Sequence, residues 1–163
     1  MIHPLRLALA ALVVATASST PALAQKGGEP LESTLVARKV VVAEGRESLV
    51  DAADARPGDV IEYVATYRNT GKDAIRGLKA TLPIPPQTEF IPGSARPAKA
   101  QASLDGKAFA DMPLRRKTTR NGQAIEESVP WREYRAIRWD AGDLAAGGSL
   151  PFTIRVRVID ERN

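Results

Sequence analysis

Cysteine is absent from this chain of 163 residues, and its only histidine is His3. Without cysteine the protein can form no disulfide, no thiolate nucleophile and no thiol redox site. With the single histidine near the N-terminus, the remainder cannot supply a Ser-His-Asp triad or the imidazole ligands of most zinc sites. We therefore expect a protein with no catalytic residues, no metal ion and no cofactor, whose hydrophobic core alone stabilises the fold.

Long apolar segments are also scarce. The main apolar run, Leu7 to Ala17, is about 11 residues long, whereas a membrane-spanning helix needs roughly 20. This run follows Arg6 and precedes the small-residue motif Ala22–Ala24, the order found in a cleaved secretory signal. We expect residues 1–24 to be removed, which would leave no membrane span and an exported protein, periplasmic, secreted or held at the cell surface. An uncleaved membrane anchor is the alternative.

Neither sign of charge dominates the sequence. The chain has 23 Lys and Arg residues against 19 Asp and Glu residues. The charges are interspersed, and so small an excess does not predict nucleic-acid binding. An exported protein of this composition is expected to have a protein or polysaccharide partner.

The clearest strand lies between a turn at Pro57–Asp59 and a turn at Asn69–Gly71. Four residues alternate on one of its faces, as a half-buried strand requires, namely Ile61, Tyr63, Ala65 and Tyr67. The last strand has five inward-facing apolar positions: Leu150, Phe152, Ile154, Val156 and Val158. We interpret the two segments as core strands of an antiparallel fold.

Further short strands are separated by turn residues, and no stretch has a helical period. Strands are predicted at residues 34–43, near Leu49, and at residues 74–82, 88–91 and 134–140, with a glycine-rich connection over 141–148. Residues 25–33 lack periodicity and are expected to form a flexible leader. This spacing of strands and turns predicts an all-β protein, with one antiparallel β-sandwich domain over residues 34–160.

Two hairpins are predicted within residues 94–130. Asp105-Gly106 is expected to form a two-residue type I′ turn between short strands. Asn121-Gly122 is the stronger signal, and a two-residue loop there fixes the register. Arg120 would then face Gln123, Lys117 would face Glu126, and Arg116 would face Glu127, so that the run Arg115–Lys117 pairs with the two glutamates.

The ordered turns and strands resemble a bacterial conserved-repeat domain family of unknown function (DUF eleven), over residues 34–158. The matching segments are Pro57–Asp59 with Tyr63 and Tyr67, Asn69–Gly71, Thr81–Pro83, Phe90–Ser94, Ile137–Trp139, Asp143-Leu144, Gly147-Gly148 and the final strand. The resemblance implies an immunoglobulin-like (Ig-like) sandwich in an envelope or secreted protein, and brings no activity or catalytic residue with it. Family members often occur in tandem, whereas this chain has one copy. The segment 94–130 is longer than the corresponding part of the usual module, and we predict that it is an inserted hairpin region.

Aromatic residues make up only 5% of the chain, so a cluster of them is informative. Trp131 and Tyr134 alternate with Arg132 and Arg135, an arrangement that could stack on a sugar or a peptide. Arg115 and Arg116 are further candidates for a basic binding patch. The alternatives are that the aromatics pack over the edge of the domain and that the arginines pair with the hairpin glutamates.

These observations favour an exported, non-enzymatic module that mediates protein–protein or cell-envelope interaction through its sheet edges and the Arg115–Arg135 region. A carbohydrate-binding module that uses Trp131 and Tyr134 is the alternative.

Overall fold

Eleven β-strands and one short 3-10 turn make up residues 30–160, the part of the chain that this computed structural model describes. No α-helix occurs in that range, which confirms the all-β prediction. The strands are β1 (Leu31–Ala43), β2 (Arg46–Asp51), β3 (Val60–Asn69), β4 (Ile75–Pro83), β5 (Thr88–Phe90), β6 (Gln101–Ser103), β7 (Ala110–Asp111), β8 (Arg115–Arg120), β9 (Gln123–Ser128), β10 (Ala136–Leu144) and β11 (Ser149–Val158); the 3-10 turn, Trp131–Glu133, precedes β10.

The strands form three antiparallel sheets. A five-stranded sheet has the order β2-β1-β3-β11-β5, and a four-stranded sheet has the order β4-β10-β6-β7. The hairpin β8–β9 forms a separate two-stranded sheet. Every pairing is antiparallel, so the connections can be short turns and loops rather than crossover helices.

The predicted central strand is the middle of the five-stranded sheet, where β3 pairs with β1 and β11. Ile61 and Ala65 are buried in the core, and Tyr63 and Tyr67 pack against it, so the predicted face of β3 is confirmed. The last strand follows its predicted pattern too, with Phe152, Ile154 and Val156 buried.

One hydrophobic core joins the two larger sheets. Trp139 of β10 packs against Phe152 of β11 with ring centroids 5.1 Å apart. Tyr67 of β3 lies edge-on to the same Phe152, and its hydroxyl donates a hydrogen bond to the Thr81 carbonyl oxygen of β4. Apolar side chains on facing strands are thereby removed from water, the main stabilising contribution in a chain without disulfides.

Two strands extend three or more residues beyond their predicted bounds. β1 begins at Leu31, inside the predicted leader, because Leu31 to Ser33 pair in register with the last three residues of β3. Residues 25–29 of the leader and the predicted signal lie outside the described range. β10 extends into the predicted glycine-rich connection as far as Leu144, since register shifts around Gly142 keep it paired with β4, and residues 145–148 form the connection.

The Asn121-Gly122 hairpin has the predicted register, with Arg120 opposite Gln123 and Arg116 opposite Glu127. Asn121 and Gly122 have φ angles of 52° and 78°, as a type I′ turn requires.

The Asp105-Gly106 prediction is wrong. β6 and β7 pair through Gln101–Asp111 and Ala102–Ala110, which leaves a longer loop between them. The carboxylate of Asp105 accepts hydrogen bonds from the N–H groups of Lys107 and Ala108, and this local bonding replaces the cross-strand ladder.

Within residues 30–160, no helix is long and apolar enough to cross a membrane.

Candidate functional site

The 3-10 turn places Trp131 over the rim of the core. Its ring is half-buried and lies 4.8 Å from the ring of Tyr134 and 5.9 Å from that of Phe90, between centroids. Both contacts are tilted rather than parallel. One part of the indole is therefore held by the core, and the rest remains available to a ligand.

Tyr134 is a core residue. It is fully buried, and its hydroxyl accepts a hydrogen bond of 2.7 Å from the N–H of Leu114. Burial raises the pKa of the Tyr134 phenol, while the Leu114 hydrogen bond opposes the shift. Since the ring is 0% exposed, it offers no face on which a sugar could stack. The predicted pair of stacking platforms is thus reduced to Trp131.

The two arginines beside these aromatics are exposed. The guanidinium of Arg135 donates to the carbonyl oxygens of Arg132 (2.8 Å) and Tyr134 (3.1 Å), so it caps the carbonyl end of the turn. The exposed side chain of Arg132 is the cation nearest in sequence to Trp131. Their use in binding stays a prediction.

Arg115 and Arg116 pair with the hairpin glutamates; the Arg116 pair is the one that the register predicts, whereas Arg115 faces Ser128 and reaches Glu126 diagonally. Arg115 lies 3.6 Å from Glu126, and Arg116 lies 2.8 Å from Glu127. Arg116 also reaches Glu133 of the 3-10 turn at 2.7 Å, which fastens the hairpin to the main body. The hydrogen bond that Arg116 donates to the Glu127 carboxylate and the charge of Glu133 raise the pKa of Arg116 above its usual value.

A groove of about 570 Å³ lies between the connection before β6 and the strands β10 and β11. Its floor includes Trp139, Leu150 and Phe152, and its walls carry charges of both signs. Arg138, one of these charges, is already held by the Gln101 side chain at 2.9 Å and by the ring of Phe109 at 3.9 Å. The groove therefore has no unbalanced charge or unpartnered buried polar group that would select a ligand.

The largest exposed apolar surface lies elsewhere, on the β1–β2 hairpin (residues 31–51). Among residues 30–160, six large hydrophobic side chains are exposed, and the hairpin carries all of them except Leu104. The five are Leu35 (54%), Val36 (45%), Val42 (64%), Leu49 (47%) and Val50 (40%).

Both faces of this hairpin carry apolar side chains. Opposite residues of an antiparallel pair point to the same face. Leu35 is opposite the buried Ala65, so it points to the core side of the sheet. It is nevertheless exposed, because the second sheet does not extend over it. Val36 is opposite Val64, and Leu49 is opposite Val40, on the outer side. Exposed apolar patches of this kind are typical of interaction sites.

Two ion pairs fasten the hairpin to the sheet. On the outer face, the Arg155 guanidinium of β11 binds both carboxylate oxygens of Glu47, at 3.1 and 2.9 Å, and also Glu62 at 2.8 Å. Arg155 holds the pKa of Glu47 below its usual value. On the core side, the Lys39 ammonium lies 3.3 Å from Asp59. These two ion pairs therefore hold the hairpin in a defined position relative to the rest of the sheet.

The amino-acid pattern of β1 is unusual, and its periodicity alone would suggest a buried strand rather than an exposed apolar surface. Residues 34–43 have apolar side chains at both odd and even positions, which is why the alternation of β1 is imperfect. Such a pattern is typical of a strand buried on both faces. In β1 these side chains are largely exposed instead.

Comparison with known proteins gives no relative: no protein-family model, no curated protein and no solved structure matches the chain.

Proposed function

We propose that this protein is an exported, non-enzymatic Ig-like module that binds another protein of the cell envelope or the secreted fraction. The observation that carries the proposal is the β1–β2 hairpin, which exposes apolar side chains on both of its faces. Covering such surface contributes roughly 25 cal/mol per Å². A protein partner can supply a matching apolar surface or an added strand at this edge.

The Ig-like assignment is supported by two antiparallel sheets that share a core around Trp139 and Phe152. Export is supported by the pattern of residues 1–24 in the sequence. Ig-like folds serve many functions, so the site and not the fold must support the binding role.

The carbohydrate-binding alternative has less support. It requires two aromatic platforms, and Tyr134 is buried beneath Trp131. A single half-buried indole gives little stacking area. We therefore do not propose polysaccharide binding as the function, and retention of a polysaccharide by the protein is one of the outcomes that the test distinguishes.

The test is photo-crosslinking in the cells that produce the protein. A photoreactive amino acid replaces Val42, the most exposed apolar residue of the hairpin. The matched control carries the same group at Leu104, which is also exposed but lies in the loop after β6. We expect a discrete adduct with one envelope or secreted protein from position 42 and none from position 104.

Equal adducts from both positions, or no protein adduct from position 42, would overturn the proposal. Retention of polysaccharide by the purified protein, with loss of that retention in Trp131→Ala, would favour the sugar-binding alternative.

A further inference from the structure

The β8–β9 hairpin lies apart from the two larger sheets. Within residues 30–160, its two strands pair with each other and with no other strand. The hairpin is attached at its base, where the Leu114 carbonyl oxygen accepts a hydrogen bond from the N–H of Val129 and Arg116 binds Glu133. A two-stranded hairpin is marginally stable by itself, and a third strand normally completes such a sheet.

The outer edge of β8 is regular. Its six residues, Arg115–Arg120, include no proline or glycine and pair with β9 without a register shift. Proline, short length and bulges, the devices that block strand addition regardless of the partner, are therefore missing from this edge. The cations of β8 act differently, because they disfavour a basic or apolar strand and attract an acidic one. They select which strand can be added.

The turn of this hairpin determines which backbone groups of β8 point outward. Arg120 and Gln123 close the two-residue loop and form a hydrogen-bonded pair. Such pairs alternate along an antiparallel ladder. The N–H and C=O groups of Arg115, Lys117 and Thr119 therefore point away from β9, towards the open edge.

Two arginines of β8 already bind the nearby carboxylates. Arg115 lies 3.6 Å from Glu126. Arg116 binds Glu127 at 2.8 Å and Glu133 at 2.7 Å. The acids of β9 are thus compensated within the hairpin, and they leave the remaining cations of β8 without a counter-charge.

Those remaining cations are Lys117 and Arg120, which make no ion pair with any other residue of the range 30–160. Both side chains are exposed. Three positions separate the two residues, so their side chains lie on opposite faces of the strand. The edge therefore presents backbone hydrogen-bonding groups with one uncompensated positive charge on each face.

We propose that β8 is a docking edge for an extended acidic segment of a partner protein, which adds antiparallel to β8 as a third strand. The backbone of the segment bonds to the outward groups of Lys117 and Thr119. Acidic residues at positions i and i+3 of the segment lie opposite Arg120 and Lys117, because directly opposite residues share a face. This edge is separate from the β1–β2 hairpin, so the inference goes beyond the proposed function and does not depend on it.

The geometry favours a polypeptide over an anionic polysaccharide. Both would be attracted by the same cations, but a polysaccharide has no peptide backbone with which to continue the ladder. Successive side chains of a strand alternate between its faces. An added strand therefore reaches both Lys117 and Arg120, whereas a polymer lying on one face of the hairpin meets only one of them.

A synthetic peptide tests the docking edge by fluorescence anisotropy at low salt, where exposed charges are least screened. The probe is the labelled segment Glu-Thr-Val-Glu-Thr-Thr, and its control has glutamine at both acidic positions. We expect the probe to bind at least about fivefold more tightly than the control, the contribution of two cross-strand charge pairs.

The two cations should account for that preference. The double variant Lys117→Gln/Arg120→Gln should bind the probe and its control equally. Lys72→Gln/Lys107→Gln is the matched variant, because it removes two exposed positive charges elsewhere on the protein. It should keep the preference of the wild type.

Thr119→Pro distinguishes strand addition from simple charge attraction. Proline removes the outward N–H at this position, leaves every charge in place and takes no hydrogen bond from the β8–β9 ladder. We expect probe binding to weaken at least about tenfold, because the edge loses a donor and is blocked. Thr119→Ala, which keeps the N–H, should bind as the wild type does. Bound probe should also slow amide hydrogen exchange at Lys117 and Thr119 of the wild type.

Equal binding of the probe and its control by the wild type, or equal binding of the probe by the wild type and Thr119→Pro, would overturn the proposal. A protein that binds dextran sulfate through Lys117 and Arg120 but does not bind the probe would also overturn it, since the cations would then serve an anionic polysaccharide. The photo-crosslink from position 42 does not depend on these results, so the two proposals fail separately.

Discussion

The side-chain amide of Asn69 donates a hydrogen bond of 3.0 Å to the carbonyl oxygen of Leu144, 75 positions later in the chain. The same amide nitrogen donates to the Asp73 carbonyl oxygen at 2.8 Å, and its carbonyl oxygen accepts from the N–H of Gly71 at 2.9 Å. Asn69 is fully buried. This one side chain therefore ties the end of β3 in one sheet to the end of β10 in the other.

Asn69→Ala should lower the free energy of unfolding by about 2–4 kcal/mol, because it leaves buried backbone groups without partners. Thr70→Ala is the control, since it alters the neighbouring, exposed residue of the same turn. Thr70→Ala should lower the free energy of unfolding by no more than about 0.5–1 kcal/mol. Urea denaturation of the three proteins measures the difference, and equal midpoints would contradict the assigned role of Asn69.

Tyr134→Phe should lower the free energy of unfolding by about 1–2 kcal/mol, because the buried N–H of Leu114 loses its acceptor. Tyr63→Phe removes a hydroxyl that makes no hydrogen bond within residues 30–160, and should be close to neutral. Thermal unfolding of both variants is the measurement. The interpretation of Tyr134 as a core residue fails if its variant binds a ligand less well but unfolds at the wild-type temperature.

Trp131→Ala should destabilise the protein by about 2 kcal/mol, below the cost of a fully buried tryptophan, since the indole is half-buried against Phe90 and Tyr134. Arg132→Ala, at the exposed neighbouring position, should have almost no effect on stability. Chemical denaturation compares the two. An unchanged stability in Trp131→Ala would mean that the ring is held at the surface for another purpose, such as ligand stacking.

Glu47 should make the protein sensitive to acid. Arg155 lowers the pKa of Glu47 in the folded state, so this contribution to stability is present above the unfolded pKa of about 4.5. It is lost as the pH falls through the lower, folded pKa. Glu47→Gln should therefore be less stable than the wild type at neutral pH, and the gap should narrow at acid pH.

The control for that titration is Glu44→Gln, which removes the same charge from the exposed turn without contacting Arg155. Denaturation midpoints at a series of pH values should separate the two variants. If the difference in stability between Glu47→Gln and the wild type did not depend on pH, the ion pair with Arg155 would not be its cause.

The strands that sequence predicts correctly are those with one buried face. In β3 and β11 the alternation of side chains matches the core directly, and in the β8–β9 hairpin the turn chemistry of Asn121-Gly122 fixes every pair. The failure at Asp105-Gly106 has a local cause. Ser103 and Asp105 bond to the nearby backbone, and such competition cannot be distinguished from a hairpin turn by the Asp-Gly dipeptide alone.

The candidate site was predicted less well. Sequence identifies Trp131 and Tyr134 as an aromatic pair, but it cannot tell that Tyr134 lies inside the core while Trp131 covers it. It likewise finds apolar residues on both faces of β1 without indicating that the other residues of the range 30–160 leave most of them exposed.

The all-β character, the main strand positions and the register of one hairpin can be predicted from local sequence, because alternation and turn geometry act over a few neighbouring residues. Which apolar residues remain exposed, and which elements are joined by distant ion pairs, follows from the packing of the sheets. Both depend on where one sheet ends over the other, and on pairings such as Glu47 with Arg155, 108 positions apart. No local pattern specifies such contacts, since their energies arise only when distant segments pack together.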